Sequence, residues 1–549
     1  MTDSCLAADT RLDRVVSIPP NTARNREWPA FLAIVAAFAV GWFLVRPRVN
    51  VPVIDDWVYA WSVEHLLKTG RLEVLEISAF YPIAQILWGA LFARLAGFSF
   101  VVLRESTVAL AVFGCWSVYL TLRELDCRRS TALLGALALA FDPAFFALSF
   151  SFMTEVPFVS FSTMALYWYV RAIRRSESLS VWAGCLCAMA AFLTRPIGIV
   201  VPLAFLPALA GSREWRTMFR RSAMPLVITL GVMTALQLEM PRTLGVLDWA
   251  AIREDYLGWW FKVPLTDYLR WNVEVPFVLA FPFAPLLLAY LVRWRRAAET
   301  AAAAIVIGIV CRWSLGHVVM PLPEGQTWSL RDIAARSMLD GTVAASTWSL
   351  HATPFVELLG LLIVGALTVI VIRRCLDPAE RGERVVFALA GLQLVCINAL
   401  WLYNDRYYVV FAPMLAIVGA QALDRNRLGQ GVAAGLLMVW AAIAISGTRD
   451  MLAFNGTCAS VTEELEASGI PSWDIDAGYS LDGWRLYAHP EHLPPGANRR
   501  SDVPFVTSNL PTHYSITNSP LPKSEILRIV PLDQASWQAT RVVYLVRRN

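Results

Sequence analysis

WPAFLAIVAAFAVGWFLV, residues 28–45, is an unbroken apolar run without one charged side chain. Crossing the hydrocarbon of a bilayer as a helix takes roughly 18–20 such residues. No small-residue cleavage site follows, so the run reads as an uncleaved anchor rather than a signal peptide. Similar runs recur at 101–122, 131–148, 156–170, 180–193, 197–210, 222–240, 276–292, 298–311, 355–372, 385–402, 409–423 and 430–446. The expected fold is therefore mainly α: a polytopic membrane bundle of about 13 helices, followed by a tail.

Composition agrees. Of 549 residues, 57% are hydrophobic and 16% charged, against about 45–50% and about 25% in soluble chains. Charges are scarce because hydrocarbon solvates them badly. The 22 tryptophans suit a protein with two membrane interfaces. A net charge of +4 gives no sign of a nucleic-acid partner. The nine cysteines lie mostly in apolar runs. Cys185 and Cys187 have no further Cys or His at metal spacing, so they read as packing residues.

The loops assign sides. Arg11, Arg14, Arg24 and Arg26 precede the first run. Further clusters at 123–129, 171–175, 213–221, 293–296, 373–374 and 425–427 then all fall on that same side, which the positive-inside rule makes cytoplasmic. Residues 1–27 are expected in the cytoplasm and 447–549 outside. Arg46 and Arg48 run against the pattern. So would a span at Phe80–Gly97, which is therefore read as an interfacial or half-inserted helix of the first outer loop, residues 46–100. The tail contains many Pro, Gly and Ser residues and ends in a strand-like Thr540–Val546 run. It is expected to form a small α/β domain that helps to choose the acceptor.

The outer face collects the unusual charges. Asp55-Asp56 follows the first run, with Trp57, Tyr59 and Trp61 after it; a charged helix cap is the plain alternative. Thr154-Glu155-Val156-Pro157 opens the fourth run, where Thr154 is expected to cap the helix and Pro157 suits its first turn. Arg195 and the Asp405-Arg406-Tyr407 segment break the inside-positive rule, by ion pairing or by binding an anion. Arg253-Glu254-Asp255 reads as a solvated cluster. Arginine suits phosphate because its fork donates two parallel hydrogen bonds. A sugar hydroxyl is a weak nucleophile and needs a base, which a carboxylate supplies.

In the order of these features the chain resembles the GT-C membrane glycosyltransferases, over roughly residues 28–446. It is most similar to the branch holding protein O-mannosyltransferases and the lipid A aminoarabinose transferase. The order is Asp55-Asp56, Tyr81-Pro82, Arg104 opening the second run, Glu155, Arg195 and then Asp405-Arg406-Tyr407. The resemblance implies inverting transfer of a sugar from a polyprenyl-phosphate donor to a lipid, glycan or protein acceptor at the outer face of the inner membrane. It implies Asp55 as base with Asp56 in support, and Glu155, Arg195, Asp405, Arg406 and Tyr407 as the substrate- and phosphate-binding set. The sequence departs from the family in having a single proline at Tyr81-Pro82-Ile83, Glu155 where Asp is common, and no lysine near the site. Whether a divalent cation is used stays open; Asp55 and Glu155 are the pair that would share one. A transporter or flippase of lipid-linked sugars predicts charges in mid-span and repeat symmetry; Asp142 and Glu239 are the near-membrane charges. An inactive scaffold of the same fold is the third reading.

Overall fold

The computed structural model describes residues 27–209, 215–248, 264–316, 318, 353–376, 381–400, 405–503, 510–518, 520–521, 523–532 and 542–548. The chain is a polytopic helical membrane protein with a small C-terminal sheet. The first eight helices are α1 (Trp28–Val45), α2 (Asp56–Thr69), α3 (Ile83–Ala96), α4 (Phe100–Glu124), α5 (Arg129–Ala140), α6 (Pro143–Ser149), α7 (Glu155–Arg175) and α8 (Ser178–Phe192).

Among the described residues nine helical segments are long and apolar enough to cross a membrane, and counting the bent pair α5–α6 as one span makes ten. The other three expected spans correspond to α7, α8 and the broken segment Pro196–Leu209. The last two are short, and α7 carries a polar first turn and an arginine-rich last one. The expected span 131–148 is bent by 66°. Asp142 sits at the break and caps α6, accepting the Phe145 N–H at 2.9 Å, with Pro143 pre-set for the first turn. Glu239 is exposed and pairs with Arg242. The Phe80–Gly97 stretch forms α3, 14 residues long and so roughly 21 Å at 1.5 Å per residue, less than a bilayer core. It packs on α2 and α4 and leaves Leu87, Leu91 and Leu95 exposed. Arg253, Glu254 and Asp255 lie outside the described residues.

The segment between α1 and α2 opens on a bend. Arg46 takes a left-handed φ of 55° and gives its N–H to the Trp42 carbonyl at 3.0 Å, ending α1. Ile54, just before Asp55, has φ 56°. A β-branched residue there is strained by roughly 1–3 kcal/mol, so neighbouring contacts must hold it.

The membrane bundle passes into the tail without a linker. Arg427–Ala467 is one helix of 41 residues, roughly 60 Å long at 1.5 Å per residue, twice the hydrocarbon thickness. Its C-terminal half packs Phe454, Cys458 and Val461 against Ile475, Ile516, Val543 and Leu545 of the sheet, and against Val51 of the segment between α1 and α2. The sheet has β1 (Ile475–Asp476), β2 (Tyr514–Thr517), β3 (Ser524–Pro531) and β4 (Val542–Arg548) in the order β1-β2-β4-β3. β1 pairs with β2 in parallel and the other pairs are antiparallel. The expected strand at 540–546 is β4.

Between β1 and β2, residues 479–487 fold back onto the segment that follows α1. The Trp57 indole lies between Tyr479 and Tyr487, with ring centroids at 5.9 and 5.8 Å. Gly483 makes this approach possible, since a Cβ there would sit 2.3 Å from Trp57 Cε2. Gly483→Ala is expected to cost about 1–3 kcal/mol by overpacking. Gly431→Ala, with open space around the Cβ position in the long helix, is expected to be neutral or stabilising. Thermal unfolding of the purified variants checks both; equal midpoints would remove the packing argument.

Candidate functional site

The two adjacent carboxylates part company. Arg104, in the second turn of α4 and fully buried, donates through its two terminal nitrogens to the Val49 and Val51 carbonyls. Asn50 Oδ1 accepts the Phe100 N–H at 2.8 Å. These bonds fix the strand leading to Asp55. Asp56 turns inward. Its Oδ1 accepts the Val53 N–H at 2.8 Å and its Oδ2 the Phe152 N–H at 3.3 Å.

Burial raises the Asp56 pKa from its ordinary 3.8 to about 7. Arg104 and the two backbone donors oppose the rise, and Asp55 adds to it. Folded Asp56 holds its proton more tightly than the unfolded chain does. Its contribution to stability is therefore complete below about pH 4 and is lost as the pH climbs through about 7. The purified protein is expected to lose up to about 1.4 kcal/mol per pH unit in that window from this residue, and Asp56→Asn to flatten the slope. Unfolding midpoints from pH 4.5 to 8 test this; parallel slopes would exclude Asp56 as the titrating group.

Asp55 faces the other way. It is the first link in an alternating chain of charges drawn from four separate segments. Its Oδ2 lies 2.7 Å from an Arg406 terminal nitrogen, and Arg406 Nε lies 3.6 Å from Glu155 Oε1. Glu155 Oε1 also receives an Arg195 terminal N–H at 2.6 Å. Arg195 Nε donates to Thr154 Oγ1 at 2.8 Å. That bond corrects the expectation for Thr154: it stands at the helix N-cap but makes no capping bond with its side chain, because its hydroxyl is spent on Arg195. The Tyr407 ring centroid is 5.5 Å from both guanidinium carbons, and the Phe80 ring 5.4 Å from that of Arg195. The cluster excludes most water: the side-chain exposures are 9% for Asp55, 16% for Arg406, 0% for Glu155 and 9% for Arg195.

Five of the seven expected site residues thus converge: Asp55, Glu155, Arg195, Arg406 and Tyr407. Asp56 is adjacent in sequence but faces Arg104. Asp405 opens the short helix Asp405–Tyr408, and its side chain lies outside the described residues. For a cation shared by Asp55 and Glu155, the fit is poor as the residues stand. Arg406 lies between the two carboxylates and Arg195 holds the second, so a divalent ion would have to displace guanidinium groups.

The sequence reading named Tyr59 without a role and missed the wall supplied by the tail. Tyr59, one helical turn after Asp55, is buried, and burial, then Asp55 and Glu155, push its hydroxyl pKa up. Its i+4 spacing from Asp55 was the available signal. Burial and then Asp55 likewise raise Tyr479. Ser480 Oγ donates to the carbonyl of the strained Ile54 at 2.9 Å. Glu76 Oε1 receives Arg499 at 2.6 Å and the Tyr487 hydroxyl at 3.3 Å, while the Glu76 carbonyl accepts the Asp248 N–H at 2.8 Å. These contacts tie three segments distant in sequence into one cap beside Asp55.

Residues 82–238 match the family model described as dolichyl-phosphate-mannose-protein mannosyltransferase. The matched segment contains Arg104, Glu155 and Arg195, and ends before Arg406. An uncharacterized protein of Aquifex aeolicus is 32% identical over 154 residues. That stretch is 27% of this chain and only 31% of the relative's length. Among solved structures, the chain is similar to ArnT from Cupriavidus metallidurans bound to undecaprenyl phosphate, at 13% identity and TM-score 0.43, covering 95% of this chain and 98% of that one. It is also similar to the archaeal oligosaccharyltransferase AglB from Archaeoglobus fulgidus in complex with an inhibitory peptide and a dolichol-phosphate. There the identity is 13% and the TM-score 0.42, covering 81% of this chain and 60% of that one. The family match supports the membrane glycosyltransferase resemblance read from the sequence.

Proposed function

We propose that this chain is a membrane glycosyltransferase. It moves a sugar from a polyprenyl-phosphate donor to a lipid, glycan or protein acceptor at the outer face of the inner membrane, with inversion. The observation that carries this reading is the Asp55–Arg406–Glu155–Arg195 chain: two carboxylates and two guanidinium groups in a site that largely excludes water. Only such a site makes weak charge interactions strong.

The chemistry follows from those groups. Asp55 accepts the proton of the acceptor hydroxyl as its oxygen bonds to the anomeric carbon. The bond from that carbon to the phosphate oxygen breaks on the opposite side, and its electron pair leaves with the phosphate. Arg406 and Arg195 receive the charge. Arg406 also times the base. While it pairs with Asp55 it occupies the oxygen that must receive the proton; when an incoming phosphate draws the guanidinium away, that oxygen is freed with the donor already in place. Tyr407 and Phe80 flank the guanidinium groups with flat, apolar rings. The arginine clusters lie at the far end of the bundle, which by the positive-inside rule is cytoplasmic. On this reading residues 1–27 are inside, the site and residues 447–549 are outside, and 28–446 form the membrane domain.

The test is transfer by the purified protein in liposomes, with radiolabelled polyprenyl-phosphate sugars and a membrane extract as acceptor, with and without EDTA. Labelled product supports the assignment, and the EDTA lane reports on metal dependence. Carrier flipping with no transfer from any donor would replace the enzyme with a transporter.

A further inference from the structure

A second charged cavity lies at the opposite end of the bundle. Arg104 marks the site end of α4 and Leu125 follows its other end. The intervening residues span roughly 32 Å at 1.5 Å per residue. There the ends of six helices meet around a cavity of about 510 Å³, whose lining includes Leu125, Tyr290, Arg296, Arg373, Arg374 and Arg425. It shares no residue with the carboxylate–arginine cluster.

Charge in this cavity is not balanced. Arg373 is matched by Glu299 at 2.5 Å and Arg374 by Glu383 at 3.0 Å. Of the lining carboxylates, Glu383 also accepts Gln421 at 3.0 Å, Asp126 pairs with Arg174, and Asp424 accepts only the backbone N–H of Arg128 at 2.8 Å. Arg296 instead donates to the Ala422 carbonyl at 3.0 Å and lies 4.4 Å from the Tyr290 ring centroid. Arg425 follows three residues after Ala422, and its carbonyl is tied to Arg293 at 3.0 Å. Among the described residues, neither Arg296 nor Arg425 has a carboxylate partner. Two guanidinium groups without a carboxylate partner within ion-pair distance therefore line one recess, against one lining carboxylate, Asp424, that no side-chain cation holds among the described residues.

We propose that this cavity binds a phosphate-bearing anion, and that its occupant is the headgroup of an anionic phospholipid. The recess lies at span ends, level with the headgroup layer, where basic pockets between transmembrane helices take anionic lipid. Guanidinium forks match phosphate oxygens in pairs. Leu125 and Ile370 give the same recess an apolar wall against which a glycerol backbone can rest.

The test is binding of short-chain phosphatidylglycerol, phosphatidylcholine and inorganic phosphate to the purified full chain in detergent, read by native mass spectrometry and by thermal shift. Wild type is expected to prefer phosphatidylglycerol. Arg296→Gln/Arg425→Gln should weaken it by at least about tenfold, as loss of charged hydrogen bonds implies. Arg216→Gln/Arg220→Gln, with equal charge removed from a helix outside the cavity, should not. Arg296→Lys/Arg425→Lys keeps the charge and should retain part of the affinity, which guards against a folding defect in the glutamine variant. Equal binding of phosphatidylcholine, or an equal loss in the Arg216/Arg220 variant, would overturn the proposal. Inorganic phosphate protecting wild type as well as the lipid does would keep the phosphate site and reject the lipid as its occupant. None of these readouts depends on sugar transfer, so the result stands apart from the catalytic assignment.

Discussion

Asp55→Asn is expected to lower sugar transfer by about 10²–10⁴-fold, the range a positioned general base contributes, with normal expression and membrane insertion. The substitution is nearly isosteric, so it tests proton transfer rather than shape. An asparagine amide has no capacity to take the hydroxyl proton, and it also loses the charge opposite Arg406. The second loss has its own signature. Arg406 keeps Glu155 as a partner, 3.6 Å away, so the guanidinium is not stranded, and donor binding is expected to fall far less than turnover. Asp56→Asn supplies the contrast. Asp56 is bonded to Val53 and Phe152 rather than to the Arg406 cluster, so its removal should act first on the pH dependence of unfolding. Full activity in Asp55→Asn would end the base assignment and move attention to Glu155, whose Oε2 has no hydrogen-bond partner among the described residues. Loss of activity in Asp56→Asn with Asp55→Asn unaffected would reverse the two roles.

The two aspartates mark how far the sequence could be read. Their position after the first apolar run was plain, and so was the oddity of arginine on the carboxylate side at Arg195 and Arg406. Charges that break a sidedness rule need a local reason, and here the reason is one another. Which aspartate faced them was not legible. It depends on the left-handed Ile54 and on Arg104 holding the Val49 and Val51 carbonyls, both features of three-dimensional placement. Thr154 shows the same limit. Its spacing before a helix predicts a cap, but a guanidinium 41 residues later takes the hydroxyl instead. The spans were found by apolar runs, yet α5–α6 bends because Asp142 and Pro143 together end one helix and start another. The tail was the least legible. Ser480 reaches Ile54 across 426 residues, and nothing in the periodicity of either segment anticipates that contact.

Arg406→Ala is expected to weaken donor binding by about 10–100-fold, the equivalent of about 1.5–3 kcal/mol for one charged hydrogen-bonding group, with acceptor affinity unchanged. The direction rests on its two partners. Arg406 now opposes Asp55 at 2.7 Å and Glu155 at 3.6 Å, and removing it leaves two carboxylates facing one another in a site that excludes water. A phosphate entering that site meets repulsion where it had met a donor. Buried charges stripped of a partner also destabilise the fold, so the donor effect has to be separated from a folding effect. Arg406→Lys does this. Lysine keeps the positive charge between the carboxylates but not the planar fork, so it should restore most of the stability and only part of the donor affinity. Stability and donor affinity recovering in step would mean that Arg406 is an ion-pair strut and that the phosphate is held elsewhere, with Arg195 the next candidate. Donor affinity lagging behind stability is the outcome that a group exchanging a carboxylate for a phosphate must give. Rapid-mixing measurements should then show donor binding preceding proton transfer from the acceptor, because Arg406 must release Asp55 before that carboxylate can receive the proton.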